Sequence, residues 1–364
     1  MKWFRIGILP IAMVIVLHST ALAATVQQSM RTMQTVQYNG LKLPEWATTI
    51  TTSGGKLLLS DSPEIVYDDG ITYQDIVQGD TRLFFHHVNG TNQPKKIVVL
   101  LENASDQPAH VKVSQYGLGG PGYNFLEVGK KVQSDYLMGD DVYLLEVPGN
   151  GSMSLIPKLD QSIVEPNMLV NGMYDFTTDA PVNVKVMMMP VNAVVEQFAA
   201  CAKVLPADVG QYRLRGTFEG KDRLVVPAHT YDTKQHKAVA MTLADNKLDP
   251  FATGIDATDG TKTTNFGNYG IVYKIYVPAT TNSKMSYYLN PRGGEYAGWL
   301  GVKYRHQEEY NIATPSGNTS FGSAGNGNDS AYIGTYEGAN SLWLTFSPPG
   351  ASNLPIKLII SPSK

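Results

Sequence analysis

The segment that decides the fold runs from Thr81 to Tyr116: TRLFFHHVNGTNQPKKIVVLLENASDQPAHVKVSQY. It holds three runs rich in β-branched and aromatic residues, Thr81–Val88, Lys96–Glu102 and His110–Tyr116. Two polar stretches, Asn89–Asn92 and Asn103–Asp106, divide the runs, and their Asn, Asp, Ser and Gly residues favour turns. Short strands alternating with such turns predict antiparallel β-sheet.

The rest of the chain extends this pattern. Further strand-like runs are Val182–Met189, Tyr269–Val277, Met285–Leu289, Gly298–Tyr304, Ala331–Tyr336, Ser341–Phe346 and Ile356–Ile360. Turn residues place β-hairpins at Val142–Ile156 and Ala331–Phe346, one late in each half. The sequence therefore predicts a mostly β protein with two β-sandwich or jelly-roll domains, which are candidate copies of one another.

Two helices interrupt the strands. Val191–Leu205 has apolar residues three and four positions apart and lies between Pro190 and Pro206, so it predicts a linker helix between the domains. Phe125–Leu137 is a second, shorter candidate. The predicted organisation is a signal peptide (1–23), an N-terminal spacer (24–55), a β-sandwich (56–190), a linker helix (191–208) and a second β-sandwich (209–364).

The first residues resemble a secretory leader. Lys2 and Arg5 precede an apolar run over Ile6–Leu17, and Ala21-Leu22-Ala23 fits a signal-peptidase site. The run is shorter than the roughly 20 residues that span a bilayer, so no transmembrane segment is expected in the mature chain. The prediction is a secreted, cell-surface or periplasmic protein.

Charge and cysteine content narrow the partners. Without Lys2 and Arg5, 27 basic and 32 acidic residues remain, a net charge of about −5. Nucleic-acid binding is not expected, because it calls for a clustered basic surface. Cys201 is the single cysteine, so no intramolecular disulfide can form, and a buried inert thiol is expected.

Catalytic motifs are missing from the sequence. No Gly-x-Ser-x-Gly occurs, and no His-x-His or His-Glu-x-x-His is present. His86 and His87 are adjacent, so a strand would direct them to opposite faces. Neighbouring acidic pairs such as Asp140-Asp141 are typical of solvated turns. We therefore predict no catalytic residue and no cofactor.

Three groups of residues are candidates for binding. Asp256 and Asp259 are weak calcium candidates in a loop-rich stretch, and turn formation is the favoured explanation for them. The run Gly117-Leu118-Gly119-Gly120-Pro121-Gly122 follows a strand and precedes a helix. It is therefore either an anion-binding loop (Gly117, Gly119, Gly120, Gly122) or a tight corner between strand and helix.

The aromatic residues of the second half give the third candidate. Its members are Tyr288, Arg292, Glu295, Tyr296 and Trp299. An aromatic surface with Arg and Glu beside it could stack on a sugar ring and bind its hydroxyl groups. The alternative is that tyrosine is simply favoured in strands, with half of these side chains in the core.

Several segments resemble a group of exported bacterial proteins of unassigned activity. They are Gly70–Asp75 with Gly79-Asp80, Val98–Asn103, Gly119–Lys130, Gly172–Phe176, Arg215–Phe218, Leu289–Gly294 and Phe346–Pro349. Some members of that group carry a domain named after the N-terminal region of copper amine oxidases. The resemblance implies export and a two-domain β build. It transfers no oxidase residue, because Asn268-Tyr269 is followed by Gly270 and the copper-binding His-x-His is missing.

These observations favour a secreted or envelope-associated, non-enzymatic protein that binds a cell-surface glycan. Two alternatives stay open from sequence. One is a structural component of the envelope or of an appendage that assembles through protein contacts at strand edges. The other is an enzyme that acts on wall polysaccharide.

Overall fold

A computed structural model describes residues 39–234, 236–279, 282–317 and 320–363. Strands make up 51% of it and helices 8%, which confirms the mostly β prediction. The predicted signal peptide and residues 24–38 of the predicted spacer lie outside the described residues. The part of the spacer that is described, residues 39–55, includes the first strand.

The strands are β1 (Thr48–Ser53), β2 (Lys56–Ser60), β3 (Ile65–Val66), β4 (Gly70–Asn89), β5 (Lys95–Asn103), β6 (Ala109–Gly122), β7 (Tyr143–Val147), β8 (Gly151–Ser154), β9 (Leu169–Pro190), β10 (Arg215–Glu219), β11 (Asp222–Pro227), β12 (Val239–Leu243), β13 (Thr253–Asp256), β14 (Thr261–Thr264), β15 (Val272–Tyr276), β16 (Lys284–Pro291), β17 (Gly298–Tyr304), β18 (Tyr310–Thr314), β19 (Ala331–Glu337), β20 (Leu342–Phe346) and β21 (Ile356–Pro362). The helices are α1 (Phe125–Met138), α2 (Pro157–Asp160) and α3 (Val195–Cys201).

The described strands form three sheets. The large sheet has the order β14-β13-β10-β2-β4-β9-β5-β8, with β3 beside β4, β6 beside β9 and β7 beside β6. A six-stranded sheet has the order β1-β11-β15-β20-β17-β18, and a four-stranded sheet the order β12-β21-β16-β19.

The large sheet is built on the long antiparallel ladder between β4 and β9. The other edge of β9 pairs with β6 over its first half and with β5 over its second half. These partners enclose one hydrophobic core, which includes Leu58, Phe85 and Phe176. Burying a phenylalanine of this kind stabilises the fold by about 1.5–3 kcal/mol.

The other side of β2 and β4 faces a second core. Leu57 and Phe84 pack there with Phe218 and with the inner faces of the two smaller sheets. Since successive strand residues point to opposite faces, the continuous apolar runs of β2 and β4 bury both sides of the large sheet. The strongest strand signals in the sequence are therefore those of the most central strands.

The strand pairing runs across the predicted domain boundary at residues 191–208. β10, β13 and β14 follow the boundary, yet they extend the sheet that contains β2 and β4. β1 precedes it and pairs with β11. The two-domain arrangement is not confirmed. Apolar residues from both halves of the chain pack against β2 and β4.

Both predicted helices are present, α1 over the whole predicted segment and α3 over the middle of its segment. α1 starts after Asn124, whose side chain accepts a hydrogen bond from the Glu127 amide, and α3 lies inside the predicted linker segment. Both predicted hairpins are wrong. β7 pairs with β6 and β8 with β5, while β19 and β20 belong to different sheets. In each case a short connection joins two strands that form their hydrogen bonds with other strands and not with each other.

Candidate functional site

The candidate site lies on the outer face of the six-stranded sheet. On β20 the side chains of Leu342, Leu344 and Phe346 are buried in the core, so Trp343 and Thr345 lie on the other side of the sheet, where Thr345 is 3% exposed. On β15, Tyr273 and Ile275 point inward, so Lys274 and Tyr276 share the outer side. We use the term outer face for the surface formed by Lys274, Tyr276, Lys303, Trp343 and Thr345.

Strand register brings the outer aromatic side chains together. Tyr276 is paired directly with Trp343, and their ring centroids are 4.9 Å apart at an interplanar angle of 35°. On its other side Trp343 is opposite Lys303 of β17. Both rings are half-buried, so each keeps part of its surface in solvent. The result is a small aromatic platform on a flat sheet.

A cavity of about 700 Å³ opens beside this platform. Its floor is the next row of the outer face, where Leu224, Lys274 and Thr345 lie side by side. This row is two residues along the strands from the aromatic rings, a distance of about 7 Å. Side chains from β4, β6, β9, β11, α1 and the turn between β10 and β11 form the walls; they include Asp80, Arg82, Gln115, Tyr136, Asp175 and Lys221.

An ionic network fixes the deep wall of the cavity. Arg82 makes two bonds to Asp175, from Nε to Oδ1 at 2.6 Å and from Nη2 to Oδ2 at 2.8 Å. Its Nη1 donates to Asp222 Oδ1 at 2.9 Å, and Nη2 also donates to the Tyr136 hydroxyl at 2.8 Å. Lys221 Nζ lies 2.9 Å from Asp175 and 2.5 Å from Asp80. Such bidentate, shared contacts hold the side chains in one geometry.

Asp175 and Tyr136 each keep one protonation state near neutral pH. Burial acts to raise the pKa of Asp175, but Arg82 and Lys221 outweigh it and hold the pKa below its usual range. Burial raises the pKa of Tyr136 well above its usual value, so its phenol stays protonated. Asp175 is therefore an ionised acceptor and not a proton donor. The wall can orient a polar ligand, but Asp175 cannot serve as a general acid there.

The cavity lining carries equal numbers of opposite charges. The cations are Arg82, Lys221, Arg223 and Lys274, and the anions are Asp80, Asp175, Asp222 and Glu309. A lining of this kind offers many hydrogen-bonding groups and no excess of either charge. It suits an uncharged polar ligand better than a strongly ionic one.

The structure separates the five residues predicted as a sugar site. Trp299 lies on the same side of β17 as Lys303, at the end of the strand where α1 packs. Tyr288 belongs to the four-stranded sheet, where its ring is 5.5 Å from that of Tyr332. Tyr296 is fully buried against Phe321.

The two charged members of that prediction lie in the loop between β16 and β17. Arg292 is half-buried, and its Nη2 is 3.5 Å from the Gly325 carbonyl oxygen. Glu295 is exposed and accepts a hydrogen bond from the Ser320 hydroxyl. Of the five predicted residues, Trp299 alone lies on the face that carries the candidate site.

The predicted anion-binding glycines form part of a strand. Gly117, Gly119 and Gly122 belong to the ladder between β6 and β9, and α1 begins after a separate cap. A Cβ at Gly117 would lie 2.1 Å from the Val132 carbonyl oxygen, and one at Gly119 2.3 Å from that of Val128. Gly120 has a φ of +84°. These glycines let α1 pack closely on β6, which agrees with the corner alternative.

The weak calcium candidates are engaged with arginines. Asp256 is buried and lies 2.8 Å from Arg215 Nε. Asp259 lies 2.8 Å from Arg213 Nη2. Hydrogen bonds from the Thr261 side chain and backbone lower the pKa of Asp259 to about 2. Within the described ranges, no group of three or more His, Cys, Asp or Glu side chains has the geometry to hold a metal ion.

Sequence reasoning missed Tyr276 and Trp343. Each lies inside a predicted strand, at the position that alternates with buried apolar residues, so period-two alternation could have placed both rings outside. The pairing of the two strands could not be found in this way. Cys201, predicted to be buried, is exposed near the end of α3.

Comparisons with known proteins leave the family open. No family model and no curated protein matches the chain. Among solved structures, the CUB1-EGF-CUB2 domain of human MASP-1/3 is 10% identical, with 87% of this chain and 99% of that chain covered and a TM-score of 0.18. Bacillus subtilis oxalate decarboxylase at pH 4.6 is 8% identical, with 86% and 77% covered and a TM-score of 0.12. The resemblance to exported bacterial proteins stays a prediction.

Among the described residues, no helix combines the length and the apolar character needed to cross a bilayer.

Proposed function

We propose that this chain is an exported, non-enzymatic protein that binds an uncharged cell-surface glycan at the outer face. One observation carries the proposal. The half-buried Tyr276–Trp343 pair forms a platform one row along the strands from a polar cavity of about 700 Å³. An aromatic surface next to a dense set of hydrogen-bonding groups is the combination that a sugar ring requires.

The ionic network supports binding by pre-organisation. Arg82, Asp175 and Lys221 are at least nine-tenths buried and already hold one another in place. A ligand would therefore meet fixed donors and acceptors and would lose little affinity to their ordering. The partly exposed groups at the rim, such as Lys274 and Glu309, can adjust to the hydroxyl pattern of the ligand.

The test measures binding of the purified protein to sacculi and to chitohexaose, cellohexaose and laminarihexaose by sedimentation and calorimetry. Trp343→Ala should weaken binding at this site about tenfold, because stacking of a sugar on the indole ring, with the area that it buries, is worth about 1.4 kcal/mol. Tyr67→Ala is the matched control, since Tyr67 is an aromatic residue with 72% of its surface exposed that lies away from this face.

Equal binding by the wild type and Trp343→Ala would contradict the site. Lack of retention of the wild type on sacculi and on every oligosaccharide would contradict the function. Release of reducing ends from sacculi by the wild type would favour the enzymatic alternative.

A further inference from the structure

A second groove lies on the other face of the large sheet, on β10, β13 and β14. Its volume is about 980 Å³. Register pairs Thr217 with Ile255, and Ile255 with Lys262, so these three side chains form one row of its floor. Thr253 and Thr264, which are also paired, form the next row. The floor is flat, with exposed or half-exposed side chains.

An aromatic cluster borders this groove. Phe266 lines it, and its ring lies edge-on to Tyr212 with centroids 5.0 Å apart. Phe251 packs edge-on against Phe266, with ring centroids 5.6 Å apart. Tyr212 is 61% exposed. An exposed tyrosine that packs on one supporting ring, Phe266, is a ready stacking surface.

The polar lining of the groove is ordered and electrically balanced. Thr217 donates to Asp75 Oδ2 at 2.5 Å and lies 2.7 Å from the Tyr73 hydroxyl. Arg213 is fixed by Asp259 at 2.8 Å. Asp75 and Glu219 offset Arg213 and Lys262 among the lining residues. The groove thus has the same chemistry as the first cavity: an aromatic border, many hydrogen-bonding groups and no net charge.

The two grooves open on opposite sides of the large sheet. Thr217 is in register with Leu58, which points into the core enclosed by β4, β5, β6 and β9. Leu57 points to the other side, and its partner on β4 is Arg82 of the first cavity. Register partners share a face, so Thr217 and Arg82 face in opposite directions. One ligand ring cannot occupy both grooves.

We infer that the groove bordered by Tyr212 and Phe266 is a second site for an uncharged glycan, and that one molecule bridges two glycan chains. This inference rests on the proposed function and adds bivalency to it. Two sites that face apart favour cross-linking of separate chains over tighter binding of one chain, because a single chain would have to wrap around the sheet edge to reach both.

Sacculi serve as the probe for both retention and agglutination. The wild type should be retained in the pellet and should also agglutinate sacculi, measured by turbidity and settling. Tyr212→Ala and Trp343→Ala should each still be retained, at reduced capacity, and should lose agglutination, because either variant has one intact site. The double variant should lose retention. Tyr67→Ala should behave like the wild type in both measurements.

The outcomes separate the two proposals. Agglutination by Tyr212→Ala at the wild-type level, with unchanged capacity, overturns the second site and leaves the first. Failure of the wild type to be retained on sacculi overturns the bridging of two glycan chains. Failure to bind sacculi and every oligosaccharide of the first test overturns the proposed function as well. Because Tyr212 is largely exposed, its replacement is not expected to unfold the protein, and circular dichroism of the variant confirms this.

Discussion

Acid should destabilise this protein through two buried histidines, and His87→Gln should remove about half of that effect. His87 is 1% exposed, with Nδ1 2.9 Å from the Pro63 carbonyl oxygen and Nε2 2.8 Å from the Ser60 hydroxyl. A carbonyl oxygen can only accept, so Nδ1 carries the proton and Nε2 accepts from Ser60. Both ring nitrogens are satisfied in the neutral form.

Burial lowers the pKa of His87 to about 4, and burial together with the neighbouring His87 lowers the pKa of His86 to about 3. In the unfolded chain both groups titrate near 6.5. As the pH falls below about 6.5, the unfolded state binds protons first, so stability is lost down to the folded pKa values. At pH 5 each histidine costs about 2 kcal/mol, at about 1.4 kcal/mol for each pH unit below 6.5.

The assay is urea unfolding between pH 8 and pH 5 of the wild type, His87→Gln and the control His306→Gln, whose histidine is exposed. The histidine part of the acid loss should be about 4 kcal/mol in the wild type and the control, and about 2 kcal/mol in His87→Gln. Burial raises the pKa of Asp61, which acts in the opposite direction, but Asp61 is common to all three proteins and cancels in the comparison. Identical pH slopes for the wild type and His87→Gln would refute the reasoning.

Two further changes test the packing of the site. Asp175→Ala leaves Arg82, whose side chain is 3% exposed, without its bidentate partner. The free energy of unfolding, measured in urea, should fall by about 3–5 kcal/mol. A fall of less than about 1 kcal/mol would show that the ionic network does not stabilise the fold. Gly119→Ala places a Cβ 2.3 Å from the Val128 carbonyl oxygen and should cost at least about 2 kcal/mol by the same measurement. The nearest atom to a Cβ at Gly122 is a side-chain methyl at 3.0 Å, so Gly122→Ala should cost clearly less; equal losses would show that α1 can shift on β6.

The positions of strands were predictable because they depend on local pattern. The apolar runs over Thr81–Val88 and Lys96–Glu102 became the central strands β4 and β5, since apolar side chains supply most of the buried surface of a sheet that is covered on both faces. The helical spacing of Phe125–Leu137 likewise predicted α1. The Asn124 cap of α1 and the glycines of β6 on which α1 packs are also local features of the sequence.

Strand partners were not predictable in the same way. The hairpins expected at Val142–Ile156 and Ala331–Phe346 failed because a turn signal reports a change of direction and does not identify the strand that supplies the hydrogen bonds. The candidate site could not be predicted for the same reason, because it too depends on which strands pair. Tyr276 and Trp343 are far apart in the chain. Arg82 of β4 meets Asp175 through the pairing of β4 with β9, and Lys221 reaches Asp175 from the turn between β10 and β11.

The sequence by itself determined that this chain is a β protein, where most of its strands lie and which of their residues are apolar, because alternation and turn chemistry act over a few residues. The tertiary structure alone decided which strands are neighbours. It thereby decided that Trp299 lies on the outer face while Tyr296 is buried, and that Tyr276 and Trp343 form an aromatic platform. The reason is physical: register is selected by the burial of whole faces at once, and that burial depends on contacts between distant parts of the chain.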